Sequence, residues 1–210
     1  MPSLDLPPLL LLFLQSMLIG LSIAAPVGPI GVLSIRRTLT EGRAAGIATG
    51  MGAALADAVY GAIGAYGATT VVQLLLGHET LLGVVGVALL LWLAWRTAAQ
   101  PVGARRAADV SAAAIGGHVG GTFLLTLSNP ATILSFMAVF GGLASQVKVT
   151  SPAVMVLGVL LGSTAWWLFL AGVVGALRER FDARWERAVN RVSAGLLAAL
   201  AAWQALTMLR

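Results

Sequence analysis

The sequence predicts an all-α polytopic membrane protein: six transmembrane helices forming two inverted three-helix repeats, with helices 1 and 4 broken. Three observations carry this reading. First, 59% of the 210 residues are hydrophobic and only 10% are charged, with a mean hydropathy of +0.92. A soluble domain carries about 25% charged residues. Second, two apolar stretches contain proline beside a flexible or capping residue, at Pro26-Val27-Gly28-Pro29 and at Asn129-Pro130. Third, all the basic residues except Lys148 and Arg210 fall in loops on one side of the apolar spans.

The first span covers residues 9–35. Pro26 and Pro29 each lack a backbone donor and clash with the turn before them, so this span cannot stay helical throughout. Backbone groups freed at membrane depth are tolerated only where protein buries them or water and a ligand reach them. A short polar loop with Arg36, Arg37, Glu41 and Arg43 follows. The second span, 45–76, is long for one crossing and implies tilt or an extension past the membrane. Gly77 to Thr80 make a turn, and the third span is 81–95. The longest loop, 100–117, holds Arg105, Arg106 and Asp109. The fourth span, 119–147, contains the second break. The fifth is 153–177 and the sixth 192–209, each close to the ~20 residues a crossing helix needs.

The chain therefore divides into a first repeat at 1–97, a cytoplasmic loop at 98–118 and a second repeat at 119–210. The positive-inside rule puts the Arg-rich loops in the cytoplasm and both termini outside. A cleavable secretory signal is not expected, because no basic residue precedes Leu9 and Asp5 is acidic. The connector 178–191 mixes charges with Phe181 and Trp185 on one helical face, which suits anionic lipid headgroups.

Pro29-Ile30-Gly31-Val32-Leu33-Ser34 aligns with Pro130-Ala131-Thr132-Ile133-Leu134-Ser135, sharing Pro, Leu and Ser in register. Each copy opens a half of three spans, and an odd number of spans inverts the second half. Inverted repeats with paired broken helices place a site at the repeat interface. Gly28 before Pro29, and Asn129 before Pro130, read as caps followed by proline at the first helical position. Each restarted helix would aim free N–H groups and a positive dipole end inward, where an anionic group such as a carboxylate is held. The alternative is a pair of kinks filled by neighbouring Ser and Thr.

Of the eight acidic residues only Asp57 lies well within a span. A carboxyl there costs about 2.5–3.5 kcal/mol on insertion scales and marks an ion, proton or substrate path by default. Asp57 binds substrate, carries a proton or is structural. Gly46, Gly50, Ala53, Ala54, Gly61 and Gly64 share its helical face, a smooth strip for another helix to approach. Tyr60, three residues on, is placed to donate to the carboxylate. Gly158 and Gly162 repeat the small-residue spacing and read as packing. Trp166, Trp167 and Phe169 either line a cavity or face lipid. His78 and His118 read as solvated loop residues, and Gln15, Ser16 and Gln73 have no assigned place.

Cysteine is absent, which excludes disulfides and thiolate metal sites. No catalytic pair is visible, so an enzyme is not expected, and neither a cofactor nor a metal site is expected. The net charge of +5 lies in loops that orient the chain and does not indicate nucleic acid.

Ala24-Ala25-Pro26-Val27-Gly28-Pro29, Arg36-Arg37 through Gly46, Gly50 through Asp57 and Tyr60, and Phe123 through Asn129-Pro130 resemble, in this order, the lysine-exporter family of LysE/RhtB type. The resemblance covers nearly the whole chain. It implies an exporter of amino acids or close analogues in the bacterial inner membrane, coupled to the proton motive force or the membrane potential. Its partners would be a small-molecule substrate, a coupling proton or cation and membrane lipid, with a homodimer as the assembly. The motif positions that carry over are Pro26, Gly28, Pro29, Asp57, Asn129 and Pro130. Val27 and Ile30-Gly31 depart from the family pattern, and lysine export in particular is not implied. The alternatives are a metal or other cation exporter on the same scaffold, or a non-transport membrane protein.

Overall fold

Proline sets where the first two helices begin. Pro8 and Pro29 each stand at the start of a helix, where the missing N–H has no intrahelical partner to lose. In the computed structural model, which describes residues 7–26, 28–66, 77–99, 111–129, 132–133, 135–136, 151–177 and 183–208, α1 runs Pro8–Ala24 and α2 runs Pro29–Glu41. They meet at an 80° bend. The first expected break is therefore real. α2 also continues past residue 35, where the first span was expected to end, because nothing stops it before Gly42.

Gly42 turns the chain into α3, Arg43–Ala65. Its φ of 110° is the one positive value among the described residues, and with ψ 171° it lies in a region only glycine occupies readily. The later helices are α4 (Glu79–Ala98), α5 (Ala112–Leu127), α6 (Pro152–Leu177) and α7 (Ala183–Met208). α5 ends at Leu127, Ser128 and Asn129 are no longer helical, and the Asn129 carbonyl then accepts from the N–H groups of Thr132 and Ile133, at 3.1 and 3.2 Å. A helical turn thus restarts at the second expected break. Val27, Pro130, stretches 67–76, 100–110 and 137–150, and the Phe181 end of the charged connector lie outside the described residues.

The described helices are apolar enough for a polytopic membrane protein, and no strand occurs among the described residues. α3, Thr80–Ala98 and α6 are each long and apolar enough to cross a membrane, and the bent α1–α2 pair makes a fourth candidate. α5 is a shorter apolar helix of 16 residues.

α3 lies between α5 and α6, and α1 packs along α6. α2 touches α3, α6 and α7, while α4 pairs with α7. Glycine permits the closest crossings. A Cβ at Gly162 would overlap the Met17 carbonyl, and one at Gly158 would press on Ser16 and the Phe13 carbonyl. Ser16 is buried at this crossing and donates back to the Leu12 carbonyl at 2.7 Å. The small-residue strip of α3 is wider than one face. Gly50 and Gly61 meet α6 at Trp167 and Val159, but Gly52 meets α5 at the Val119 carbonyl. A helix flanked by two others needs small residues towards both.

Candidate functional site

The α1–α2 break opens onto a cavity of about 260 Å³. Pro26, Gly28 and Pro29 border it from the break, Asp57 from α3 and Asn129 from the end of α5. Thr126, Thr132 and Ser135 add hydroxyls, and Trp167 and Trp203 supply apolar wall. Five of the seven residues expected at a site thus share one cavity. Pro130 lies outside the described residues. Tyr60 is placed elsewhere, as described below.

Gly28 is extended and has no side chain with which to cap α2. Its carbonyl accepts from Val32 N–H at 3.1 Å, closing the first turn. Helix geometry then leaves the N–H groups of Ile30 and Gly31 without an intrahelical acceptor. Both residues border the cavity. The positive end of the α2 dipole adds to these donors, so this wall suits an anionic group.

Asp57 is 3% exposed, and Ser163 Oγ of α6 donates to its Oδ2 at 2.7 Å. Sequence reading missed Ser163. The available signal was a small hydroxyl residue directly after Gly162 in an apolar span. The expected Tyr60–Asp57 bond does not form. The Tyr60 hydroxyl donates to the Leu127 carbonyl at 2.7 Å, and its ring packs on Phe136 with centroids 5.5 Å apart. The reason is local: the last carbonyls of α5 lack helical partners, and Tyr60 reaches one of them. Tyr60 does not border the cavity, so the structure gives it a supporting position and not a lining one.

A second polar cluster lies at the other end of α2, and it corrects the loop reading. Arg36, Arg37 and Glu41 are buried. Arg36 Nε donates to Asn190 Oδ1 of α7 at 3.0 Å. Arg37 donates to the hydroxyls of Thr49 in α3 and Thr122 in α5, at 2.8 and 3.4 Å. Glu41 pairs with His118 Nε2 of α5 at 2.9 Å, so His118 is no solvated edge residue. The extra length of α2 drives these charges among three helices, where each finds a partner.

A proline break, unused helix donors and a buried carboxyl border one small cavity within an apolar helical bundle, the architecture of a polytopic membrane protein. The chain belongs to the LysE type translocator family, whose profile matches residues 21–207. It is 31% identical to the uncharacterized membrane protein YahN of Escherichia coli (strain K12) over 173 residues, which cover 80% of this chain and 77% of that protein. It is 28% identical to the chemotactic transduction protein ChpE of Pseudomonas aeruginosa over 200 residues, covering 90% of this chain and 94% of that one. No solved structure matches.

Proposed function

We propose that this chain is a secondary exporter of amino acids or close analogues in the bacterial inner membrane, driven by the proton motive force or the membrane potential. In this reading six spans form two inverted repeats, 1–97 and 119–210, about a cytoplasmic loop at 98–118, with both termini outside. The donors at the start of α2 and the restart after Asn129 receive the substrate carboxylate. Asp57 receives its ammonium or the coupling proton. The observation that supports the reading is the cavity itself: the start of α2, with its unused N–H groups, and the buried carboxyl of Asp57 border the same small space. At about 260 Å³ it falls just below the roughly 300–1,000 Å³ typical of drug-sized ligands.

Efflux tests it. Cells lacking their own exporters are loaded with a panel of dipeptides, and release of each amino acid is followed with and without this protein. Release of one class, abolished by Asp57→Asn and by an uncoupler, is expected. Release of no amino acid, or release unchanged in Asp57→Asn, overturns the reading or the role of Asp57 respectively.

A further inference from the structure

Arg37 is 6% exposed, yet both its described bonds run from Nη1 to neutral hydroxyls, those of Thr49 and Thr122. Among the described residues no carboxylate stands within ion-pair reach of it. Glu41, four residues on, gives its Oε2 to His118 at 2.9 Å. A guanidinium cannot shed its proton to escape burial, as a carboxyl or an amine can. A buried charge without a counter-charge is costly, and the two threonines supply dipoles but no charge.

Arg37 also keeps donors in hand. A guanidinium has five N–H groups in a planar fork, and Nη1 accounts for two of them. Nε and Nη2 have no described acceptor. Neither is sealed in, because Trp167 Nε1 is the only fully buried side-chain donor left unpartnered among the described residues. These donors therefore open onto a second cavity, of about 20 Å³, which Arg37 borders. Arg36 and Glu41 also border it from α2, Arg96 and Thr97 from α4 and His118 from α5. Arg96 stands at the exposed rim, its Cζ 5.2 Å from the centre of the Trp92 ring.

Size and charge select the occupant. A space of about 10–15 Å³ holds one water, so this one admits a single-atom ion and is too small for a phosphate or an amino acid. Glu41 opposes an anion, but Arg36, Arg37 and Arg96 outnumber it among the described residues of the border. We propose that this space is a binding site for one small inorganic anion of the halide class. The anion takes the spare Nε and Nη2 donors of Arg37, and Arg96 closes the rim over it. Such charge-assisted bonds are about twice as strong as neutral ones. An anion held there supplies the counter-charge that Thr49 and Thr122 do not, and it ties α2 to α4. The inference is independent of the transport reading.

The test is the thermal midpoint of the purified full-length protein in detergent, with chloride exchanged for gluconate at constant ionic strength. A ligand that binds only the folded state adds stability as the logarithm of its concentration once that exceeds Kd. The wild-type midpoint is expected to stay flat at low chloride and then climb. Bromide should act as chloride does, while isethionate, too large for the space, should act as gluconate does. Arg96→Gln should move the onset to about 10- to 150-fold higher chloride, the range for losing a bond to a charged group. Arg37→Gln should abolish the response. Where Arg37→Gln fails to fold, Arg96→Gln, at an exposed position, decides. A midpoint indifferent to the anion, an onset unmoved by Arg96→Gln, or a response kept in Arg37→Gln overturns the site and leaves the transport reading standing.

Discussion

Ser163→Ala removes the described donor to a carboxyl that is 3% exposed and 2.7 Å away. The size of the loss reports the charge on Asp57. Side-chain hydrogen bonds between membrane helices average about 0.6 kcal/mol and reach about 1.7. A bond to an ionised group is worth about 1.5–3 kcal/mol. A double-mutant cycle with Asp57→Ala and Ser163→Ala isolates the pair, because each change removes the contact without supplying a new donor or acceptor. The assay is SDS-induced unfolding in mixed micelles, for four proteins at alkaline and at acidic pH. At alkaline pH the coupling is expected at about 1.5–3 kcal/mol. It should fall towards about 0.6 kcal/mol when the carboxyl takes up a proton. Coupling below about 0.3 kcal/mol at both pH values means the sites are independent, which refutes the bond. A value near 0.6 kcal/mol throughout refutes an ionised Asp57 and its role in holding an ammonium.

Gly162→Ala should cost about 1–3 kcal/mol by overpacking the α1–α6 crossing, while Gly172→Ala, which meets nothing within 4 Å, should stay within about 0.5 kcal/mol of wild type in the same unfolding assay. Gly42→Ala forces a side chain into the φ 110° turn and should cost about 1–3 kcal/mol; an unchanged midpoint would refute the strain. His118→Ala should cost about 1–3 kcal/mol by leaving buried Glu41 short of a partner, and Glu41→Gln made on top of it should recover part of that loss.

The break in the first span was legible because proline acts on its own backbone, whatever surrounds it. Asp57 was legible because an acid inside an apolar run has few explanations. Ser163 was not, since a serine in a membrane helix can equally bond its own turn, as Ser16 does with Leu12. Arg36, Arg37, Glu41 and His118 were misread for a different reason. Hydropathy places charge outside the membrane, but it does not say that a helix runs on beyond its apolar part and carries that charge into a crevice between neighbours. Tyr60 shows the limit of spacing. Three residues from Asp57 gave proximity, but the open carbonyl of Leu127, on another helix, decided where its hydroxyl went. Trp167 was left between cavity and lipid because helix periodicity alone does not tell which neighbour stands opposite. Gly50 settles it.

α2 has 13 residues and so measures about 20 Å from end to end. One tip carries the spare N–H groups of Ile30 and Gly31, and the other carries Glu41 bound to His118. A helix of this length behaves as a rod, with bends expected only at identifiable defects, and its interior holds no proline. A shift of the donors at the cavity is therefore also a shift at the far tip. The Arg36–Asn190 and Glu41–His118 contacts must follow or part. Whatever repositions the cavity wall draws on the same few polar bonds, roughly 8 to 17 Å further along the helix, so the rigidity of one short helix ties the chemistry in mid-bundle to the strength of a clasp at its edge.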